Sequence, residues 1–171
     1  MNYLDDHLYE YIILVLIYYL MYGFAIKQGE GEEINFRGTK MLIKVSGVDS
    51  EGRYSLIEMI HPPNIGPALH MHPAAPEAYY VLEGEYLIHY DERSYQAKTG
   101  DFVFIPKGIP HNYQSGSKGG RVLVISPARL EEYFKIVAET LETGQITWEL
   151  EQEIARRYGQ EFLDNLKHWG L

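Results

Sequence analysis

The chain is best read outward from Gly66-Pro-Ala-Leu-His70-Met-His72-Pro-Ala-Ala-Pro-Glu77-Ala-Tyr-Tyr-Val-Leu-Glu-Gly84. In an extended backbone, side chains two apart share a face. His70 and His72 therefore present two imidazoles to one point while Met71 turns away. Pro73 and Pro76 impose a bend, after which Glu77 is placed to rejoin the same interior. Downstream, Pro106-Lys-Gly108-Ile-Pro-His111 uses a Pro/Gly turn to deliver a further histidine at the start of a strand. An H-x-H pair alone is weak evidence, because paired surface or core histidines are commoner than ligands.

The sequence around this stretch is punctuated as short strands. Residues 41–45, 54–60, 78–82, 86–90, 102–105 and 121–125 are β-rich, and Gly47, Gly52, Pro62-Pro63, Gly84, Gly100 and Gly116 to Gly120 interrupt them. Strands of this length and spacing predict a sandwich or a barrel. After Pro127 the period changes. Leu130, Phe134, Val137, Ala138 and Leu141 recur at helical steps, with Gly144 as a stop. A second helix is expected from about Thr147, with acids in its first turn, Ile154, Ala155 and Tyr158 on its apolar face, and Gly159 ending it. Phe162, Leu163 and Leu166 predict a third short turn.

Composition narrows the chemistry. The chain has 171 residues, with 15 Lys+Arg against 24 Asp+Glu and a net charge of -9. Nucleic acid is not an expected partner, since phosphate binding needs a basic surface. Cysteine is absent, so any transition metal must be held by His, Asp or Glu. Tyrosine is in surplus at 15, against 6 Phe and 2 Trp.

Residues 11–26 carry no charge. At 16 residues they fall short of the roughly 20 that span a bilayer as a helix. Asp5, Asp6 and Glu10 stand where a signal peptide would be basic. A buried helix, an arm on a second subunit, an early-start extension (Met21 precedes the domain proper) and a membrane anchor through residues 9–26 all fit. The anchor would leave the main domain on the cytoplasmic side. A cytoplasmic protein without an anchor is the reading taken.

The complete pattern is Gly66-x3-His70-x-His72-x4-Glu77-x6-Gly84, 15 residues, then Gly100-x5-Pro106-x-Gly108-x2-His111. It resembles the two motifs of the cupin superfamily, in particular its compact single-domain, quercetinase-like members. Two departures appear: the first glycine stands closer to His70 than is usual, and Ser115 occupies a position that is commonly Asn. Neither falls on a ligand position. The similarity covers about residues 24 to 130. It implies a mainly β fold, a single small antiparallel β-barrel or jelly roll at 24–127. A C-terminal helical tail at 128–171 and an apolar, helical N-terminal extension at 1–23 complete the organisation. It further implies that His70, His72, Glu77 and His111 bind one divalent metal. With three imidazoles and one carboxylate, Fe, Mn, Ni, Co, Cu and Zn all remain open.

The resemblance also implies that Glu77 acts as a base toward a substrate hydroxyl. Alternation places Tyr79 and Val81 inward with Glu77, and Tyr113 inward with His111. Phe102 and Phe104 are expected as an apolar pocket wall, and Glu58 as a buried acid supporting the ligands. His61 and His89 have no partner spacing. The expected function is a metal-dependent dioxygenase acting on a hydroxylated aromatic. The alternatives are a non-catalytic small-molecule-binding cupin, a cupin isomerase or decarboxylase, or a metal that only staples the barrel. Exposed sheet edges and apolar helices suggest a homodimer.

Overall fold

A computed structural model describes residues 23–163. The apolar stretch ahead of Gly23 and the expected turn at Leu166 lie outside the described residues. Among the described residues, no helix is long and apolar enough to cross a membrane.

Among the described residues nine strands run in chain order as β1 (Glu32–Phe36), β2 (Thr39–Val45), β3 (Ser55–His61), β4 (His70–Met71), β5 (Glu77–Tyr90), β6 (Arg93–Lys98), β7 (Phe102–Ile105), β8 (His111–Ser126) and β9 (Glu161–Phe162). Helices α1 (Leu130–Glu142) and α2 (Trp148–Arg157) lie between β8 and β9. All pairings are antiparallel. The two long strands organise everything else. Residues 78–83 of β5 pair with 121–125 of β8, and this sheet continues through β3, β2 and β1 on one side and β7 on the other. Residues 86–90 of β5 pair with 111–115 of β8, and this second sheet adds β6 on one side and β4, then β9, on the other. The result is a jelly roll whose hydrogen bonding does not close.

The register slips between Val81 and Glu83 and again between Gly84 and Tyr86, where the strands turn from one sheet to the other. Gly84 (φ 83°) packs so closely on Gly119 that an added Cβ would lie 2.8 Å from its carbonyl oxygen. Here the chain needs glycine for both conformation and space. This is why two expected strands, 78–82 and 86–90, are one: Gly84 is a bend within a strand, not a turn between two. Likewise 121–125 is the second half of β8. Strands β1 and β6, rich in charged and polar side chains, were not expected.

The core fills the space between the sheets with Ile34, Phe36, Met41, Ile57, Val81, Ile88, Val103, Ile105, Val122 and Val124. Helix α1 caps one open end with Leu130, Tyr133, Phe134 and Val137, its i, i+3, i+4, i+7 stripe. Phe36 meets Phe134 edge-on with ring centroids 5.1 Å apart. Helix α2 begins where expected. The Thr147 side chain accepts the Leu150 N–H at 3.2 Å, and Arg156 and Arg157 complement the dipole in the last turn. The expected third helical turn is instead strand β9, which adds to β4 and ties the chain back to the barrel. Backbone pairing with Met71 and His70 overrides the local pattern there.

Candidate metal centre

His70 and His111 face each other as register partners across β4 and β8. His72 lies just past β4, and Glu77 opens β5. Gly66 sits under this crossing, where an added Cβ would fall 1.7 Å from the Tyr113 carbonyl oxygen. The four side chains converge with their ligand atoms all within 4.8 Å of one another, and all four residues are buried. His111 Nε2 is 3.0 Å from Glu77 Oε2, His72 Nε2 is 3.5 Å from Oε1, and His70 Nε2 is 4.0 Å from Oε2.

Each imidazole is oriented from behind by a backbone carbonyl. His70 Nδ1 donates to Ala68 O at 2.9 Å, His72 Nδ1 to Gly159 O at 3.0 Å, and His111 Nδ1 to Ile109 O at 2.8 Å. A carbonyl can only accept, so each Nδ1 carries a proton and each Nε2 is turned toward the centre of the cluster. His72 Nε2 is buried and has no hydrogen-bond partner among the described residues. A buried acceptor without a partner is unfavourable, and a metal ion is a group that satisfies it. Three imidazole nitrogens and one carboxylate fit a first-row divalent ion without choosing among them.

Burial and neighbouring charge favour the ligating forms of His70 and Glu77, while Glu77 draws His72 toward its charged form. Burial, with help from His111 and His72, pushes the His70 pKa well below its usual value, which keeps that ring neutral. Burial opposes ionisation of Glu77, but His72 and His111 outweigh it and hold the carboxyl well below the usual carboxylate range. Burial also works against the charge on His72, yet Glu77 raises it overall. Tyr79 donates its hydroxyl proton to Glu77 Oε2.

Beside the cluster lies a cavity of about 20 Å³, lined by Met59, Pro67, His70, Glu77, Tyr79, Tyr113, Val124, Leu130, Phe134 and Gln160. It is large enough for a single water. No Lys or Arg is among its walls.

The structure sorts the remaining expected site residues. Tyr79 and Tyr113 point inward and line the cavity; Val81 points inward but belongs to the core below it. Phe102 and Phe104 do not line a pocket. They are 57% and 55% exposed, with Val103 and Ile105 inward. In the run Phe-Val-Phe-Ile both faces are apolar, so alternation cannot say which is buried; pairing of Val103 with Tyr79 decides it. The apolar wall comes instead from Met59, Val124, Leu130 and Phe134. Glu58 is buried but on the opposite, outer face of the sheet, where it meets Lys44 at 3.0 Å and Arg121 at 3.5 Å. It supports none of the ligands.

Two further residues reach the site without a sequence signal that places them there. Gly159 and Gln160 reach the site from the segment after α2, far from either motif. His61 also lies inside the barrel. Its Nδ1 is 3.0 Å from the Tyr86 hydroxyl and its Nε2 is 2.9 Å from the Tyr113 hydroxyl. Alternation along β3, with Ile57 and Met59 inward, could have found it. Burial lowers its pKa from 6.5 to about 3. The unfolded chain therefore takes up a proton below pH 6.5 that the folded chain refuses until about pH 3. Stability is present above pH 6.5 and is lost on acidification, by about 1.4 kcal/mol per pH unit from this residue. His61→Gln should flatten that slope, read from denaturation midpoints between pH 4 and 6.5. An equal slope in both proteins would show that His61 does not titrate as stated.

Comparison with known proteins agrees with this architecture. Residues 57–126 match the family model described as a cupin domain. An uncharacterized protein of Methanocaldococcus jannaschii is 36% identical over 63 residues, 37% of this chain and 50% of that protein. Quercetin 2,3-dioxygenase of Bacillus subtilis is 25% identical over 100 residues, 58% of this chain and 30% of the enzyme. The chain thus spans half or less of the length of these curated relatives. Among solved structures, an RmlC-like cupin from Shewanella frigidimarina superposes with a TM-score of 0.53 at 19% identity, covering 65% of this chain and 96% of that one. With the two motifs, the jelly roll and the matched segment in agreement, residues 57–126 of the chain form a cupin domain.

Proposed function

We propose that this cupin is a metal-dependent dioxygenase acting on a hydroxylated aromatic, with His70, His72, Glu77 and His111 holding one divalent ion. The observation that carries the reading is the buried set of three imidazoles and one carboxylate, of which His70 and Glu77 line a cavity that also has Met59, Val124, Leu130 and Phe134 in its wall. When bound, the ion would supply a Lewis acid and open positions for substrate and oxygen.

The chain's own groups would do the rest. Glu77 is the candidate base for the substrate hydroxyl proton, and the Tyr79 hydroxyl holds its Oε2 in place. Met59, Val124, Leu130 and Phe134 exclude water and favour an apolar ring. The cavity as it stands holds one water-sized ligand, so an aromatic would enter only by displacing part of its wall. A decarboxylase or isomerase of a small acid is the alternative reading; its carboxylate would find the metal as an anchor but no Lys or Arg in the cavity wall. We further propose residues 24–127 as the catalytic barrel, 128–171 as its cover and 1–23 as a separate extension.

The test is oxygen uptake by protein loaded in turn with Fe, Mn, Ni, Co or Cu, with quercetin and simpler hydroxylated aromatics. Uptake is expected for at least one pairing and should be lost in Glu77→Gln. Metal binding without uptake in any pairing would remove the dioxygenase reading and leave a metal-binding cupin without this chemistry.

A further inference from the structure

We propose a second binding site on the outer face of the sheet, separate from the histidine cluster, that takes an apolar monocarboxylate. The carboxylate would pair with Arg121, and the hydrocarbon would lie between the sheet and residues 24–28.

Strands β3 and β8 have two faces. Met59 and Val124 turn inward to the cavity beside the histidines. Glu58 and Leu123, next to them in sequence and partners in register, turn outward. On that outer face lies a cavity of about 560 Å³, within the roughly 300–1,000 Å³ of small-molecule sites. Its apolar wall is Leu56, Leu82 and Leu123 from the sheet, with Phe24 and Ile26 from the segment ahead of β1. Lys44 Nζ ties that segment down by donating to the carbonyl oxygens of Lys27, at 3.4 Å, and Glu30. Phe24 and Ile26 are nonetheless 57% and 39% exposed, apolar surface that a hydrocarbon chain would cover.

The polar end carries an uneven charge. Glu58, its side chain 4% exposed, is shared by Lys44 at 3.0 Å and Arg121 at 3.5 Å. Two cations thus meet one buried carboxylate, and one positive charge is left over; at the rim, Lys27 and Glu83 offset each other. Arg121 holds the surplus. Lys44 already has Lys27 O, Glu30 O and Glu58 Oε2 as acceptors. Arg121 Nε is buried without a hydrogen-bond partner among the described residues, and so is the Glu58 Oε1 that it faces. Its Nη2 stands 4.0 Å from Glu83 Oε2, beyond hydrogen-bond reach. Both acids line the cavity with Arg121, which places the guanidinium on its wall between them. A carboxylate fits the guanidinium fork and brings the missing negative charge, whereas a cationic head does neither.

The test is calorimetric titration of the full chain with octanoate in excess EDTA, so that no metal anchors the carboxylate. Saturable binding of octanoate is expected. Octylammonium, of equal chain length and opposite charge, and acetate, which lacks the chain, should each bind at least about tenfold more weakly. Arg121→Met removes the charge and leaves Glu58 paired with Lys44. It should bind octanoate about 10- to 100-fold more weakly, the loss expected for hydrogen bonds to a charged group, and octanol within about twofold of wild type. Leu82→Trp, which fills the cavity, should abolish octanoate binding and serves if the Arg121 variant does not fold. Octanoate affinity unchanged in either variant would overturn the site, and octylammonium binding as tightly as octanoate would overturn the choice of an anion. No saturable binding to wild type would overturn the proposal outright and leave this face to a second copy of the chain or to residues 1–22.

Discussion

His111→Ala is expected to lower metal affinity at least 100-fold, measured by competition with a chromophoric chelator. Loss of a mere supporting contact behind a metal ligand already weakens binding 10- to 100-fold. His111 is more than a support. Its Nε2 lies 3.0 Å from Glu77 Oε2, and its ring centroid is 4.3 Å from that of His70, so it occupies the middle of the cluster. A second readout is thermal. A ligand that binds only the folded chain adds about 4 kcal/mol at a free concentration 1,000 times its Kd. Wild-type protein should therefore melt higher with excess metal, and His111→Ala should not. Equal metal retention by the variant would place the metal elsewhere.

The second large effect is structural. Glu151→Leu should destabilise the protein by about 3–5 kcal/mol, because it leaves the Arg37 charge buried without its partner. The Arg37–Glu151 pair spans 2.6 Å between side chains that are 4% and 0% exposed. Tyr133 donates to the other oxygen of Glu151 at 2.8 Å. Burial raises the Glu151 pKa even against Arg37 and Tyr133, so desolvation outweighs attraction here. A pair of that kind is not a net gain, yet breaking one half is damaging. Arg37→Met combined with Glu151→Leu should recover most of the loss in a denaturant titration. A double variant as unstable as the single one would show that the charge is not the cause.

Motif spacing made the four residues of the candidate metal centre legible, because the cupin pattern fixes which residues meet and alternation fixes their direction. The helices were legible from their stripes and from Thr147. What escaped was set by tertiary contact. Phe102 and Phe104 sit in a run that is apolar on both faces, so only pairing with β5 reveals that they look outward. Glu58 was recognised as buried, but the face that buries it is formed by Lys44 and Arg121, two residues distant in sequence. Gly84 reads as a turn and acts as a bend, because β8 supplies a glycine-rich partner opposite it. Gly159 and Gln160 have no local signature, since their part depends on how α2 delivers the chain back to β4.

That return has a consequence for how the protein matures. A polypeptide is made from its N-terminus, so β1 through β8 exist before the acceptor for His72 Nδ1, which lies 87 residues later. Until Gly159 arrives, His72 lacks the carbonyl that turns its Nε2 inward, and β4 has a neighbour on one side only. The four residues of the candidate site are therefore all synthesised before the last of their imidazoles is oriented. Tight binding of an ion by this set would follow the docking of α2.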